Sequence, residues 1–387
     1  MKTKSPTFLS FIGAAALAGA VLLASAPATV RAASENAGRN QPSADQPFAM
    51  ATVATFEYPW AIAFLPDGRL LVTEKPGKLF MTTQKGEKKE VAGMPKVYYS
   101  GQNGLLDVAV SPAFARDRSI YFTFVEPRRG GGALVLARAQ LRESGGAASL
   151  SDLDIIWRQS RASRGGQPGG IIAFSRDGQH LFLTAGDRQQ PQTAQDPDLA
   201  QGKVLRLNLD GSTPKDNPMA GQGGVEAQTW TTGHRNPYGL AFAPDGRLWL
   251  DEMGPRGGDE LNLIQRGRNY GWPVVSNGDN YNGTPIPRHS THPEFQAPVV
   301  YWTPVIAPAG LAFYEGSMFP AWRGSAFIGG LVEQGLVRIA FDGKGGAKEA
   351  ERWVLGHRIR DVAVASDGAV WLIEDEARGR LLRLTPR

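Results

Sequence analysis

Residues 61–74 read "AIAFLPDGRLLVTE". Small and apolar residues alternate, an Asp-Gly pair interrupts them, and a second apolar run follows. The alternation has the period of a strand. Asp-Gly supplies the positive φ angles of a tight hairpin turn. The same design returns five times, as "DVAVSPAFARDRSIYFTF" (107–124), "IIAFSRDGQHLFLTAGD" (171–187), "GLAFAPDGRLWLDE" (239–252), "GLAFYEGSMFPAWRGSAFIG" (310–329) and "DVAVASDGAVWLIED" (361–375). The copies share an alanine, at Ala63, Ala109, Ala173, Ala241, Ala312 and Ala363, at intervals of 46 to 71 residues. Each interval has room for about four strands and a loop. A single hairpin cannot bury its own face, so the copies must stack on one another. The expected fold is all-β, a six-bladed β-propeller of four-stranded antiparallel blades. A β-sandwich with coincidental Asp-Gly turns is the competing architecture.

Composition supports the many-turn reading. The chain has 47 glycines and 27 prolines in 387 residues, and no long helical period survives between them. Lys2, Lys4, an apolar run over 12–23 and "ATVRA" (28–32) have the layout of a secretory signal peptide cut after Ala32. The apolar run is short for a membrane span, which needs about 20 residues. Residues 33–47, "ASENAGRNQPSADQP", read as a flexible leader, and 48–387 as one propeller domain. The protein is therefore expected to be periplasmic or secreted, without a stable span after cleavage.

The formal charge of +5 owes three of its cations to residues 1–32. The remaining chain is nearly balanced and carries no basic stripe, which argues against nucleic-acid binding. There is no cysteine, hence no disulfide, thiolate metal site or cysteine nucleophile. The five histidines form no HExxH or HxH pair, which disfavours a histidine-built zinc site.

Polar signals fall in the connections: "SGQNGLLD" (100–107), "RGGQPGG" (164–170), "TTGHRNPYG" (231–239), "GPRGGDELNLIQRGRNYGWP" (254–273), "GDNYNG" (278–283), "VIAPAG" (305–310) and "GHRIRD" (356–361). Propeller loops converge on one channel, so Arg235, Arg358 and Arg360 can meet there. Three guanidinium groups suit a ligand with several carboxylates. The alternative is that each pairs with a local acid, such as Asp361. Glu260 and the carbonyls of an irregular turn at Gly254-Pro255 are hard oxygen donors of the kind calcium accepts. Glu260 is equally compatible with an ordinary surface carboxylate.

"GQNGLLD", "GHRNP", "MGPRGGDELN", "NYGWP" and "RIRDV" occur in this order. With the repeats, they resemble the soluble pyrroloquinoline-quinone (PQQ) dependent aldose sugar dehydrogenases, the glucose/sorbosone dehydrogenase family, over about 48–386. The resemblance implies an exported propeller that oxidises the anomeric carbon of aldoses to lactones, as a monomer or homodimer, with an electron acceptor the sequence does not identify. It implies PQQ contacts at Gln102, Arg235, Asn236, Tyr281, Ala307, Arg358 and Arg360. It implies a calcium ion on the carbonyls of Gly254 and Pro255, and a second at Glu260 and the Tyr270 carbonyl. The family's base is a histidine in a segment like Asn-His-x-Gly-Gly-Arg. Here that segment is Gly166-Gln167-Pro168-Gly169-Gly170-Ile171, with Gln167 at the base position. A neutral amide is no general base near pH 7. Val332 stands where relatives usually place a lysine, and Tyr238 where they commonly have Gln. Three readings follow: a PQQ- and calcium-dependent aldose dehydrogenase with altered base chemistry, a non-catalytic PQQ- or sugar-binding propeller, and a calcium-dependent lactonase. His234 and His357 are candidate replacements for the base.

Overall fold

In a computed structural model, residues 1–4 and 34–387 are described; the signal-peptide reading rests on residues that lie almost entirely outside them. The described chain is nearly all β, with helices of at most five residues. Among the described residues, no helix is long and apolar enough to cross a membrane.

Each repeat forms a six-residue first strand: Pro59–Phe64, Leu105–Val110, Gly169–Phe174, Pro237–Phe242, Pro308–Phe313 and Ile359–Val364. These strands neighbour one another in chain order, and the last neighbours the first, which closes a ring. The shared alanine is the fifth residue of every first strand. It faces Leu71, Tyr121, Phe182, Trp249, Phe327 or Trp371 across the antiparallel ladder. Each ladder has an irregularity just before it, bending the strand at the channel. Apolar clusters fill the gaps between successive sheets, as where Val204 and Phe182 meet Leu240 and Leu250, or Ile62 and Val72 meet Trp371 and Ile373.

The sheets differ from six separate four-stranded units. The first and second repeats merge into one eight-stranded sheet, because Val91 and Ala92 pair in parallel with Ala148 and Ser149. The cause is an overlong hairpin, Gly131–Ser144 with Ala147–Arg158, which projects far enough to reach the neighbouring edge. The fourth repeat acquires a fifth strand, Glu35–Asn36, parallel to Val300–Tyr301. The last sheet is completed by Phe48–Phe56 pairing with Gly379–Pro386, so the two ends of the ring are joined by hydrogen bonds.

Two local expectations are corrected. In the Asp-Gly turns only the glycine takes positive φ, as at Gly68 (85°) and Gly246 (88°). The aspartate instead caps the turn: Asp67, Asp177, Asp245 and Asp367 each accept the amide two residues on, at 2.9–3.1 Å. Residues 34–47 are tied down rather than loose. Ala37 is buried, its carbonyl accepts from Arg352, and Trp353 Nε1 donates to the Asp45 carbonyl at 2.9 Å.

Inter-sheet latches recur at one repeat position. Thr73, Thr123 and Thr184 each accept an amide of their own first strand. Each donates to a carbonyl of the next: Leu106 (2.7 Å), Gly170 (2.6 Å) and Pro237 (3.2 Å). The fourth repeat places Asp251 there. Its carboxylate is fully buried and finds no hydrogen-bond partner among the described residues.

Candidate functional site

The stretch 254–260 leaves the second strand of the fourth repeat and is shaped by Asp259. Its buried carboxylate accepts the amides of Gly254 (2.8 Å), Ile306 (2.8 Å) and Ala307 (2.7 Å). Burial raises the Asp259 pKa to about 7 against the pull of those amides. The contact holds Ala307 at φ 52°, unusual for a residue with a Cβ. Gly254 is sterically required, since a Cβ there would lie 2.3 Å from the Gly257 carbonyl oxygen. Sequence reasoning chose Glu260 and missed Asp259. The only trace was an acid closing a Gly-Gly turn.

Glu260 points elsewhere. Asn262 Nδ2 donates to both Glu260 Oε2 (3.0 Å) and Glu252 Oε1 (3.1 Å), and His234 Nδ1 lies 2.7 Å from the same Glu252 oxygen. Burial first, and then the Glu252 charge, push the Glu260 pKa well up. Asn262 Oδ1 has no partner among the described residues. Two carboxylates and an open amide oxygen in a dry pocket fit a cation. The Tyr270 carbonyl, the other expected ligand, accepts from His289 Nε2 at 3.0 Å. His234 is fully buried, with its second nitrogen on Thr231 Oγ1 and its ring stacked on Tyr270. Both ring nitrogens are thus held by groups of the protein interior.

Arg235 leads toward the mouth of the ring. Its amide is held by Glu252 Oε2 (2.6 Å), and its guanidinium donates to the carbonyls of Met253 (3.0 Å) and Gly254 (2.7 Å) and to Tyr281 OH (3.2 Å). Tyr281 is 73% exposed. Gln167, at φ 55°, donates its amide to Gln102 Oε1 at 2.6 Å. With the side-chain amide turned so that its oxygen faces Arg235, the orientation that satisfies both ends, the oxygen accepts from Arg235 (2.9 Å) and the nitrogen donates to Asp187 Oδ1 (2.5 Å). Asp187 also accepts from Trp272 Nε1, and burial raises its pKa to about 6. Gln102, Gln167, Arg235 and Tyr281 thus form one connected polar row, backed by a carboxylate the sequence did not single out. Asn236, adjacent to Arg235, is buried with Nδ2 on Met253 Sδ.

Arg358 and Arg360 meet on the sixth repeat. They converge on Asp375 Oδ2 at 3.1 and 2.5 Å, not on Asp361, which is committed to the amides of Ile62 and Val362. Burial opposes ionisation of Asp375, but Arg360, Lys75 and these hydrogen bonds outweigh it and bring its pKa to about 2. Arg360 is 6% exposed and lies over Trp60. Its Nε and Nη1 find no partner among the described residues. It borders an axial cavity of about 220 Å³ shared with Trp60, Tyr238, Asp107 and Asp361. No direct contact joins Arg235 to this pair among the described bonds. His357 pairs with Glu376 (2.9 Å), and Val332 is half exposed beside Leu331, whose carbonyl accepts from Arg358.

Fold and site together define a class: a propeller whose channel mouth gathers guanidinium groups beside a glycine-rich turn of carbonyl oxygens. The chain belongs to the Glucose / Sorbosone dehydrogenase family, matched over residues 56–383. It is 38% identical over 338 residues to the aldose sugar dehydrogenase YliI of Escherichia coli K12, covering 86% of this chain and 91% of that protein. A crystal structure of a glucose dehydrogenase superposes with a TM-score of 0.82 at 42% identity, covering 87% of this chain and 99% of the other. The PQQ-bound aldose sugar dehydrogenase of Streptomyces coelicolor superposes with a TM-score of 0.71 at 29% identity, covering 89% and 100%.

Proposed function

We propose that this protein is an exported dehydrogenase that uses PQQ and calcium to oxidise aldoses at the anomeric carbon to lactones. The observation that carries the cofactor reading is Arg360, a buried cation beside Arg358 with two nitrogens that find no acceptor among the described residues. Buried donors without acceptors are costly, and a polycarboxylate such as PQQ supplies them. The ring of six first strands supports a six-bladed count, with the eight-stranded sheet read as two blades fused at their outer edges.

In this reading Gln102, Arg235, Asn236, Tyr281, Ala307, Arg358 and Arg360 hold the cofactor. The Gly254 and Pro255 carbonyls hold one calcium ion, and Glu260 with the Tyr270 carbonyl a second. When bound, PQQ supplies a hydride-accepting quinone and calcium the Lewis acidity that polarises it. The substrate loses hydride from C1 and a proton from its hydroxyl. Gln167 can hold that hydroxyl but cannot take its proton. Asp187, buried behind that amide with its pKa raised to about 6, holds the Gln167 side chain in place, and the group that takes the proton is the altered part of the chemistry.

The amide at position 167 also favours a second reading, a propeller that binds PQQ or sugar without turnover. A calcium-dependent lactonase ranks below both, because the mouth offers arginines and carbonyls rather than a carboxylate cage. The test incubates apo-protein with PQQ and Ca²⁺, then adds aldoses and an artificial electron acceptor. Aldose-dependent reduction supports the dehydrogenase. Binding without turnover supports the second reading, and no binding overturns both.

A further inference from the structure

Lys75 follows the second strand of the first repeat and carried no signal in the sequence. Its side chain is 12% exposed, yet its nearest acid is Asp375 Oδ1 at 4.0 Å, too far for a hydrogen bond. Its remaining cation contact is with the Tyr58 ring, 5.0 Å from the ammonium. Asp375 is already shared by Arg358 and Arg360. Three cations thus surround one carboxylate, leaving two positive charges in excess. Arg360 adds two buried nitrogens, Nε and Nη1, with no acceptor among the described residues. Burial disfavours the charged ammonium, Asp375 offsets part of that, and both arginines add to the penalty. Such crowding destabilises the protein unless an anion relieves it.

We propose that Lys75 is a carboxylate-binding residue of the channel mouth, acting with Arg358 and Arg360 on one polyanionic ligand. The inference rests on the PQQ reading above and adds a contact from the first repeat, so the ligand would be clamped across the seam between the last and first sheets. A carboxylate entering here meets one ammonium and two guanidinium groups, of which Asp375 can neutralise only one. Asp375 then serves to hold the cations in register rather than to satisfy them.

The test is the affinity of calcium-loaded apo-protein for PQQ, read by equilibrium dialysis at several salt concentrations. Lys75→Met should weaken binding about tenfold or more and flatten the salt dependence, and Lys75→Arg should restore most of it. Thermal unfolding without PQQ separates a folding defect from a binding defect, and Lys75→Met is expected to unfold no lower than wild type. Tight binding by wild type that is unchanged in Lys75→Met would overturn the role of Lys75 alone. Failure of wild type to bind PQQ would overturn the cofactor reading and this inference with it. Equal losses in Lys75→Met and Lys75→Arg would show that shape at this position, not charge, is what matters, and would also overturn it.

Discussion

Gln167 sits between Arg235 and Asp187, and its amide is satisfied on both sides when its oxygen faces Arg235 and its nitrogen Asp187. An imidazole placed there meets the same carboxylate, which would orient it and favour its protonated form. Gln167→His is therefore expected to raise aldose turnover by about 10²-fold. Steady-state rates with saturating PQQ, calcium and glucose check this, and a fall in the mutant would move the search for the base elsewhere. Asp375 allows a second prediction. Its folded pKa of about 2 lies below the ordinary 3.8. The stability it contributes is full above pH 3.8 and is lost as pH falls through 2. Asp375→Asn should cost ~2 kcal/mol at pH 7, with the gap narrowing toward pH 2 in urea titrations. A gap independent of pH would refute the charge argument. As candidates, Arg235 and Arg358 were legible from the glycine- and proline-marked connections that carry them, and Arg360 from its place beside Arg358 at the start of the first strand Ile359–Val364. Asp187, Asp259, Lys75 and Asp375 were not. Each is one charge at the end of an ordinary strand, and contacts across the fold, such as Asp187 with Trp272, Asp259 with Ile306 and Lys75 with Asp375, mark it out only once the repeats are assembled.

Among the elements, the six first strands were legible from one repeated alanine, because the packing of neighbouring sheets requires a small residue at the same step each time. The latch beside them was not, since threonine is common in strands and its bridge is visible only with the next sheet in place. Thr123 accepts from the Asp107 amide and donates to the Gly170 carbonyl. Thr123→Val keeps the shape and strands both groups, at an expected cost of about 1–3 kcal/mol. Asp251 is the opposite case. A buried carboxylate with no partner costs stability, and burial pushes its pKa well up. Asp251→Thr restores the residue type used in the first three repeats and should raise Tm. Differential scanning calorimetry of the two variants decides the point, and a lower Tm for Asp251→Thr would show that the carboxylate has a partner in solution. The parallel weld between the first two sheets lay beyond the sequence for a related reason: strand pattern fixes which face is buried, not how far a hairpin overhangs.

Closure is a property of the whole molecule. Phe48–Phe56, from the start of the domain, is hydrogen-bonded to Gly379–Pro386 from its end. This is the pairing that joins the start of the domain to the last sheet, and it holds the ring shut. Ahead of it, residues 34–47 lie across the fourth and fifth repeats. Glu35–Asn36 lengthen one sheet, Arg352 donates to the Ala37 carbonyl, and the Ser43 amide donates to the Arg352 carbonyl. Their polar composition suggested a loose leader, because their bonds are made by backbone groups that composition does not report. The two segments should fail differently when removed. A chain lacking 34–47 keeps its ring and loses a few hydrogen bonds, each worth about 0.5–1.5 kcal/mol. Its Tm should fall by several degrees with unfolding still cooperative. A chain lacking 34–56 loses the closing strand, exposes the edge of Gly379–Pro386 and removes the buried Phe48 and Phe56, which leaves their ring partners Trp353 and Phe80 uncovered. Without closure the last sheet has only three strands, its apolar clusters with both neighbours open to water, and the single transition should broaden or disappear. Calorimetry of the two truncations distinguishes strap from clasp. An unchanged Tm without 34–47 would return that segment to a flexible leader, and a cooperative transition without 34–56 would show that the ring holds without its clasp.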